Sequence, residues 1–246
     1  MYRVVIVSPH LDDAILSFGA SIDAASRAGA RVGILTVLAG DPTSREAAGE
    51  WDAAAGFHLA GEASASRRAE DARACAIVGA DPVWLPFGDN QYSRGGGDDE
   101  IRSRVAKLVC WADLALVPGF PLLHDDHRWL ADLLEGDIGA RVVAEYVEQP
   151  YAAVARLPAT QDDGWEVASL PYISIGTKHR AARAYETQIP LLPAASLSAI
   201  RLAEARSGGE AIRLRSGSRD EFDSVVGSLW PVRATLVHRL AGHVPA

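Results

Sequence analysis

Residues 4–38 of the chain read VVIVSPHLDDAILSFGASIDAASRAGARVGILTVL. The uniformly apolar, β-branched run Val4–Val7 is typical of a strand buried on both faces, and Ile15–Ala28 repeats apolar residues at helical spacing. A second apolar run, Val32–Leu38, follows Gly29, which suits the end of a helix. This stretch therefore predicts a βαβ unit with two parallel strands.

The same alternation of helices and strands continues along the chain, at Ser66–Val78, Val83–Leu85, Glu100–Cys110, Asp113–Val117, Trp129–Leu134 and Arg141–Tyr146. Five strands separated by helices predict an α/β fold, a Rossmann-like open parallel sheet with helices on both faces. After Pro150 the pattern is less regular, with helical candidates at Lys178–Gln188, Ser196–Ser207 and Arg219–Leu229. We expect one domain over residues 1–246, with a core at 1–150 and an appended layer at 151–246.

The composition excludes several classes of protein. With 48% apolar and 23% charged residues, the chain of 246 residues can form an ordinary globular core. The formal net charge of −8 argues against a surface that neutralises phosphates, so nucleic acid is not expected as a partner.

The cysteines and the apolar runs bear on the compartment. Cys75 and Cys110 lie in apolar surroundings, which suits two buried free thiols in a reducing compartment. The apolar run near the N-terminus is too short for a signal peptide, and no run reaches the roughly 18 residues of a membrane span. We therefore expect a cytoplasmic protein without a membrane span.

A group of polar residues, Ser8–Asp13 (SPHLDD), follows the first predicted strand directly. In an open parallel sheet, ligands gather at the carboxyl ends of the strands, so His10, Asp12 and Asp13 occupy the expected functional edge. The alternative is that one of the two aspartates merely caps the following helix.

A second group, His124–His127 (HDDH), follows the fourth predicted strand after a short loop and can reach the same edge. Two imidazoles three residues apart, with Asp126 between them, fit metal ligation or acid/base chemistry better than core packing. The alternative is an exposed helix start. Together the two groups offer two imidazoles and a carboxylate as metal ligands, with a carboxylate and an imidazole left over for catalysis.

These two groups resemble the paired signatures of a known family. Ser8–Asp13 is similar to the Pro-His-Pro-Asp-Asp-Glu motif, and His124–Arg128 to the His-Pro-Asp-His-Arg motif, of the PIG-L/LmbE-like zinc-dependent de-N-acetylases. Weaker similarities extend over most of the chain, at Arg67–Glu70, Leu85–Asp89 and Tyr185–Gln188. The resemblance implies hydrolysis of an N-acetyl or other N-acyl group from a small-molecule amino sugar or sugar conjugate.

The resemblance also implies a role for each motif residue. One zinc ion per chain would be bound by three ligands, His10, Asp13 and His127. Asp12 beside them would be the general base. His124 would stabilise the oxyanion or protonate the departing amine, and Asp126 would hold the His124 ring and raise its pKa.

The chain departs from the family pattern at Ala14, where the motif has a carboxylate. If that carboxylate supports the metal site, its absence weakens metal binding unless another residue, such as Asp41 or Glu46, replaces it.

The resemblance places Arg67 and Asp89 near the mouth of the site, where they would bind sugar hydroxyls. Their plainer interpretations are a solvated helix residue and a turn former. Four aromatic residues lie in or beside the candidate loops and could stack on a sugar ring, although such residues more often simply pack: Trp51, His58, Tyr92 and Trp129.

The sequence disfavours three other functions. A nucleotide-binding Rossmann-like protein is disfavoured because the first strand-to-helix turn lacks G-x-G-x-x-G and carries two aspartates that would repel a pyrophosphate. A non-catalytic relative that has lost its metal is disfavoured because the key histidines and Asp12 are present. Two histidines and a carboxylate also describe a non-haem iron site, but those enzymes are usually β-barrels.

Overall fold

The computed structural model describes residues 1–157, 164–168, 170–193, 196–207 and 210–230. The strands are β1 (Arg3–Ser8), β2 (Arg31–Thr36), β3 (Asp81–Trp84), β4 (Leu114–Phe120), β5 (Val143–Val147), β6 (Glu166–Val167) and β7 (Ala211–Ser216). The helices are α1 (Asp13–Arg27), α2 (Glu50–Ala54), α3 (Ala60–Val78), α4 (Asp98–Val109), α5 (Asp125–Leu133), α6 (Tyr151–Val154), α7 (Tyr172–Ala182), α8 (Ser196–Ser207) and α9 (Arg219–Leu229), and a short 3₁₀ helix covers Ile189–Leu191.

The strands of the described residues form one sheet in the order β3-β2-β1-β4-β5-β7-β6. The first five strands are parallel, which confirms the predicted fold class. β7 runs antiparallel to β5, and β6 runs antiparallel to β7. These two edge strands were not predicted, because β6 has only two residues and β7 (AIRLRS) carries two arginines among its apolar residues.

Alternate residues of each central strand face two separate apolar cores, as expected for strands covered by helices on both faces. In β1, Val4 and Ile6 pack on one face with residues of α1, α3, α7 and α9. Val5 and Val7 pack on the other face with residues of α4 and α5. The continuous apolar run that predicted β1 therefore reflects burial on both sides.

The region after Pro150 is only partly as predicted. Helices α8 and α9 have the predicted bounds, whereas α7 begins at Tyr172, after Pro171, and ends at Ala182 instead of running to Gln188. Residues 231–246 of the predicted appended layer lie outside the described residues. The division into a core and an appended layer of one domain stays a prediction.

The two cysteines differ in their surroundings. Cys75 is buried in the core beside α1, as predicted, but Cys110 is exposed. The prediction for Cys110 is wrong because this residue caps the end of α4, at the surface, rather than lying within the helix. Among the described residues, no helix is both long and apolar enough to cross a membrane.

The order of the strands fixes where a ligand can bind. The chain winds from β1 through β2 to β3 in one direction, and β4 and β5 lie on the other side of β1. The carboxyl ends of β1 and β4 therefore flank the point where the winding reverses, where open α/β sheets form a crevice. Both predicted motifs follow these two strands.

Candidate active site

The loop after β1 is folded tightly by its own polar groups. The Ser8 hydroxyl donates to the carbonyl oxygen of His10 (2.7 Å) and accepts from the Ala14 amide (3.1 Å). Asp12 precedes α1 with φ of 114°, and its side chain makes no capping hydrogen bond to the helix. Because it does not cap the helix, its carboxylate needs another explanation.

The three predicted metal ligands converge on one point. The Asp13 Oδ2 atom lies 3.1 Å from His10 Nδ1 and 3.1 Å from His127 Nε2, and the two imidazole nitrogens are 3.2 Å apart. Ligand atoms of a tetrahedral zinc ion, each about 2.0 to 2.2 Å from the metal, are about 3.3 Å apart. The donor set therefore fits a divalent cation in both chemistry and spacing.

Each of the two imidazoles is held through its other nitrogen by a buried carboxylate. His10 Nε2 lies 2.9 Å from Asp126 Oδ2, and His127 Nδ1 lies 2.6 Å from Glu148 Oε1. Such carboxylates orient histidine ligands and increase their basicity. Glu148 was missed in the sequence, although its place directly after β5 at the functional edge was the signal that could have found it.

This finding resolves the departure at Ala14. The replacements considered in the sequence, Asp41 and Glu46, are both exposed, and Asp41 accepts hydrogen bonds from Thr43. They are wrong as supports of the metal site. Ala14 packs in the apolar core, and the buried support comes from Glu148 and Asp126 instead.

His124 lies beside the ligand set and is the third member of a histidine group whose ring nitrogens lie within 4.8 Å of one another. Its Nδ1 accepts a hydrogen bond from the backbone amide of Asp126 (3.2 Å), so the neutral ring carries its proton on Nε2. Burial and the nearby His10 and His127 lower the pKa of His124.

The predicted role of Asp126 toward His124 is therefore wrong in two respects. The Asp126 carboxylate accepts from His10, from the backbone amide of Asn90 (3.0 Å) and from Arg94 (2.6 Å), not from His124. The pKa of His124 is lowered, not raised, because burial and two neighbouring imidazoles outweigh the charge of Asp126.

The electrostatics of the site follow from its charges. Burial alone would lower the pKa of His10, but hydrogen bonds to Asp126 and Asp13 raise it to about 9. Burial opposes protonation of His127 as well, but Asp13 and Glu148 raise its pKa to about 10. The two imidazoles in turn hold the pKa of Asp13 well below its usual range, despite burial.

Asp12 behaves differently from its neighbour. Burial, together with the charge of Asp13, raises the pKa of Asp12 to about 8. One aspartate of the pair is thus held as an anion, while the other is a stronger base than an ordinary carboxylate. Two adjacent carboxyl groups with separated pKa values are typical of sites that divide ligation from acid/base chemistry.

A cavity of about 460 Å³ opens over these groups. Its lining brings together predicted residues and residues the sequence did not indicate: His10, Asp12, Asp13, Leu16, Glu50, Trp51, Ala54, Arg67, Asp89, Asn90, Gln91, His124, Pro150, Tyr151, Gln188 and Leu192. His127 and Asp126 are buried behind it.

Arg67 and Asp89 lie together in the cavity wall. Arg67 does not have the solvated position of its plainer interpretation, whereas Asp89 does form a turn, in which its carboxylate accepts from the Gln91 amide (2.9 Å) and its carbonyl oxygen from the Tyr92 amide (3.0 Å). Both are buried, and Arg67 Nη1 lies 3.3 Å from Asp52 Oδ1 and 3.8 Å from Asp89 Oδ2. The buried Nε of Arg67 has no hydrogen-bond partner among the described residues. A buried donor without a partner is costly, and the contacts of Arg67 with Asp52 and Asp89 fix its position in the wall.

The aromatic candidates divide into lining and packing residues. Trp51 lines the cavity, whereas His58 is exposed elsewhere and the hydroxyl of Tyr92 donates to Asp52 (2.7 Å). Trp129 packs under the guanidinium of Arg94, 4.1 Å from its ring centre, outside the cavity.

Tyr151 is a cavity residue that the sequence did not indicate. Its ring lies 5.1 Å from the His127 ring and 6.3 Å from the His124 ring. It is positioned at the first residue of α6, three residues after Glu148, so the segment that supports His127 also supplies part of the wall.

A Rossmann-like sheet whose switch point gathers two imidazoles and two carboxylates, with a further imidazole beside them, is the arrangement that a metal-dependent hydrolase needs. The sequence model of the GlcNAc-PI de-N-acetylase (PIG-L) family matches residues 5–135, which include both motifs. The chain belongs to this family, as the resemblance of its motifs predicted, and is an N-deacetylase.

Solved structures with the same fold include several deacetylases. The A40926 pseudoaglycone deacetylase is 26% identical, with 87% of this chain and 96% of that chain covered and a TM-score of 0.71. A triple mutant of a deacetylase of the teicoplanin biosynthetic pathway is 26% identical, with 89% and 99% covered and a TM-score of 0.72.

A more distant structure, the N,N'-diacetylchitobiose deacetylase of Pyrococcus horikoshii, is 16% identical, with 87% of this chain and 84% of that chain covered and a TM-score of 0.59. At this identity the likeness concerns the fold alone. A search of curated proteins found no match to the sequence.

Proposed function

We propose that this protein is a zinc-dependent hydrolase that removes the N-acetyl group from an amino sugar or sugar conjugate and releases a free amine and acetate. The observation that carries the proposal is the cavity in which Asp12 and His124 lie beside three converging ligand atoms. The family match supports the reaction, and the likeness to deacetylases of A40926 pseudoaglycone and of the teicoplanin pathway supports a sugar conjugate as substrate.

The proposed ligands of the zinc ion are His10 Nδ1, Asp13 Oδ2 and His127 Nε2. A bound divalent cation supplies Lewis-acid polarisation of the amide carbonyl, acidifies a neighbouring water, and favours the ionised form of nearby carboxyl groups. Three protein ligands leave a position open, which is the pattern of catalytic rather than structural zinc.

The chain's own residues divide the proton transfers between them. Asp12 accepts a proton from the attacking water as its oxygen bonds to the amide carbon, and returns that proton to the amine nitrogen as the C–N bond breaks. His124, neutral because its pKa is lowered, donates its Nε2 proton as a hydrogen bond to the carbonyl oxygen, where negative charge develops.

Arg67 and Asp89 hold the sugar in this proposal. The guanidinium of Arg67, which lines the cavity, donates to a hydroxyl, and Asp89, which already accepts from the backbone amide of Gln91 (2.9 Å), accepts from another. Phosphate-binding Rossmann proteins instead leave a helix N-terminus free for the anion. Here Asp12 and Asp13 occupy that position, which disfavours the nucleotide-binding alternative.

We infer a cytoplasmic location, since the free thiols of Cys75 and Cys110 suit a reducing compartment.

The function is tested by replacing the proposed base. Asp12→Asn keeps the size of the side chain but cannot accept the proton, so turnover of an N-acetylglucosaminide falls by about 10²- to 10⁴-fold while bound zinc stays near one per chain. Acetate release and elemental analysis provide the two measurements. The control is Asp125→Asn, at an exposed position of the HDDH motif, and this variant is expected to keep full activity. Undiminished turnover in Asp12→Asn would remove the assignment of the base.

A further inference from the structure

Trp51 stands at the rim of the cavity on the short helix α2, within the long connection between β2 and α3. The residue is 37% exposed, although a tryptophan is usually buried. Two hydrogen bonds fix the residue: its backbone amide donates to Gln91 Oε1 (2.8 Å), and its indole Nε1 donates to Gln188 Oε1 (2.8 Å). The indole is thus held from two different parts of the chain.

Gln188 is itself held in one orientation. It is 1% exposed, and its side-chain Nε2 donates to the Thr187 hydroxyl (2.9 Å). Thr187 in turn donates from its backbone amide (2.8 Å) and its hydroxyl (2.9 Å) to the two carboxylate oxygens of Glu70 on α3. Because the Nε2 atom of Gln188 is bonded to Thr187, its Oε1 atom points at the indole of Trp51.

The exposed part of Trp51 is therefore apolar. The Nε1 atom of the indole is hydrogen-bonded to Gln188, so the exposed surface of the ring consists of carbon atoms. The ring is held in place by the hydrogen bonds to Gln91 and Gln188. Rigid aromatic side chains with satisfied polar atoms offer large contact area at little entropic cost. Nothing among the described residues covers this surface, and it faces the same cavity as Asp12 and Arg67.

The size of the cavity leaves room for a ligand at this surface. Its volume of about 460 Å³ is in the range of sites that enclose drug-sized ligands, and exceeds the needs of a single N-acetylated pyranose. The reacting groups and the Arg67–Asp89 pair account for the amino sugar. The group linked to that sugar would then contact Trp51.

We propose that Trp51, oriented by Gln188, is a stacking surface for an aromatic aglycone, and that the substrate class is the aryl glycosides of N-acetylated amino sugars. This inference rests on the proposed function, since it assumes that the amino sugar occupies the inner cavity. Trp51 thereby determines specificity, and Gln188 is a positioning residue that acts through it.

The test compares two ligands that the enzyme cannot consume, phenyl and methyl glucosaminide, by their dissociation constants for the zinc-loaded protein. Wild type is expected to bind the phenyl glycoside about tenfold more tightly. In Trp51→Ala the difference falls below threefold, and Trp51→Phe, which keeps an aromatic ring, retains most of it. Gln188→Leu, which frees the indole, gives an intermediate difference.

The matched control is Trp111→Ala, because Trp111 is equally exposed (38%) but lies by the turn before β4, where Arg3 stacks on it at 6.0 Å. Trp111→Ala is expected to keep the wild-type ratio of the two dissociation constants. Equal binding of both glycosides by wild type, no binding of either, or an unchanged difference in a folded Trp51→Ala overturns the inference.

Hydrolysis is measured separately, with phenyl N-acetylglucosaminide as substrate. Selective binding without acetate release would contradict the proposed function and leave the stacking surface standing. Acetate release without selective binding would support the proposed function and contradict the stacking surface.

Discussion

At the scale of single residues, each of the two histidines proposed as metal ligands is oriented by a carboxylate on the ring nitrogen that faces away from the proposed metal. Asp126 and Glu148 are almost fully buried, and each carries a negative charge against one imidazole. Asp126 is further held by the Asn90 amide and by Arg94. Asp126, the second aspartate of the HDDH motif, thus contacts His10, from the other motif, across the crevice.

Glu148→Gln is expected to lower zinc affinity by roughly 10- to 100-fold, because a neutral amide no longer increases the basicity of His127. The measurement is competition with a chromophoric chelator. Glu135→Gln, at an exposed position, is the control and leaves the affinity unchanged. Equal affinities in wild type and Glu148→Gln would mean that this carboxylate serves the fold alone.

Metal uptake is expected to release protons at neutral pH. The pKa values of His10 and His127 are raised to about 9 and about 10, so both imidazoles are cations at pH 7 without metal. Each must lose one proton to bind. Asp12, whose pKa is raised to about 8, loses a further proton as the metal favours its ionised form, so zinc displaces about two to three protons, and affinity falls as the pH is lowered. Titration in weak buffer with a pH indicator counts them. Release of no protons at pH 7 would show that the ligands are already neutral.

The motifs allowed the sequence to predict which residues gather at the site, but not how they pair. His10, Asp13 and His127 lie together as predicted because they follow neighbouring parallel strands. The partner of Asp126 and the role of Glu148 depend on side-chain directions across the crevice. Sequence spacing does not carry that information.

At the scale of elements, α1 carries the first motif at its start and is held in the middle by a buried ion pair. Lys178 on α7 lies 2.6 Å from Glu210, whose two carboxylate oxygens also accept from the backbone amides of Ala20 (3.2 Å) and Ser21 (2.8 Å) in α1. Three segments far apart in the sequence therefore meet at one carboxylate.

Lys178→Met is expected to destabilise the protein by about 3 kcal/mol, because it leaves the buried charge of Glu210 without its cation. Chemical denaturation measures the free energy of unfolding. The double variant Lys178→Met/Glu210→Leu recovers part of the loss, since no charge then stays buried. A loss below about 0.5 kcal/mol in the single variant would contradict this account.

The regular elements were predictable where periodicity was strong. β1, α1 and β2 are buried on defined faces, and their patterns place them within two residues of the structure. The antiparallel pair β6 and β7 was not predictable, because an edge strand needs few apolar residues and takes its place from pairing with β5.

At the scale of the whole molecule, the proposed metal site joins separate parts of the chain. His10 and Asp13 follow β1, His127 follows β4, and the supporting Glu148 follows β5. A metal ion bound there connects the carboxyl ends of strands on both sides of the point where the winding reverses.

Zinc is therefore expected to raise the melting temperature. At a free concentration 100 times the dissociation constant, binding to the native state alone contributes about 2.7 kcal/mol. For a chain of this size, that corresponds to a rise of roughly 5 to 10 °C. Differential scanning calorimetry with zinc, and again after chelator, measures the shift. His127→Ala should show no shift, and a shift as large as that of wild type would place the ion elsewhere.

The backbone of Asp12, with φ of 114°, has a consequence for how this position can vary. Glycine adopts that conformation freely, whereas an aspartate is strained there. A library of variants selected only for thermal resistance should thus enrich glycine at residue 12 and discard the proposed base. Thermal stability and turnover therefore favour different residues at position 12, and only a screen that measures both will retain the aspartate.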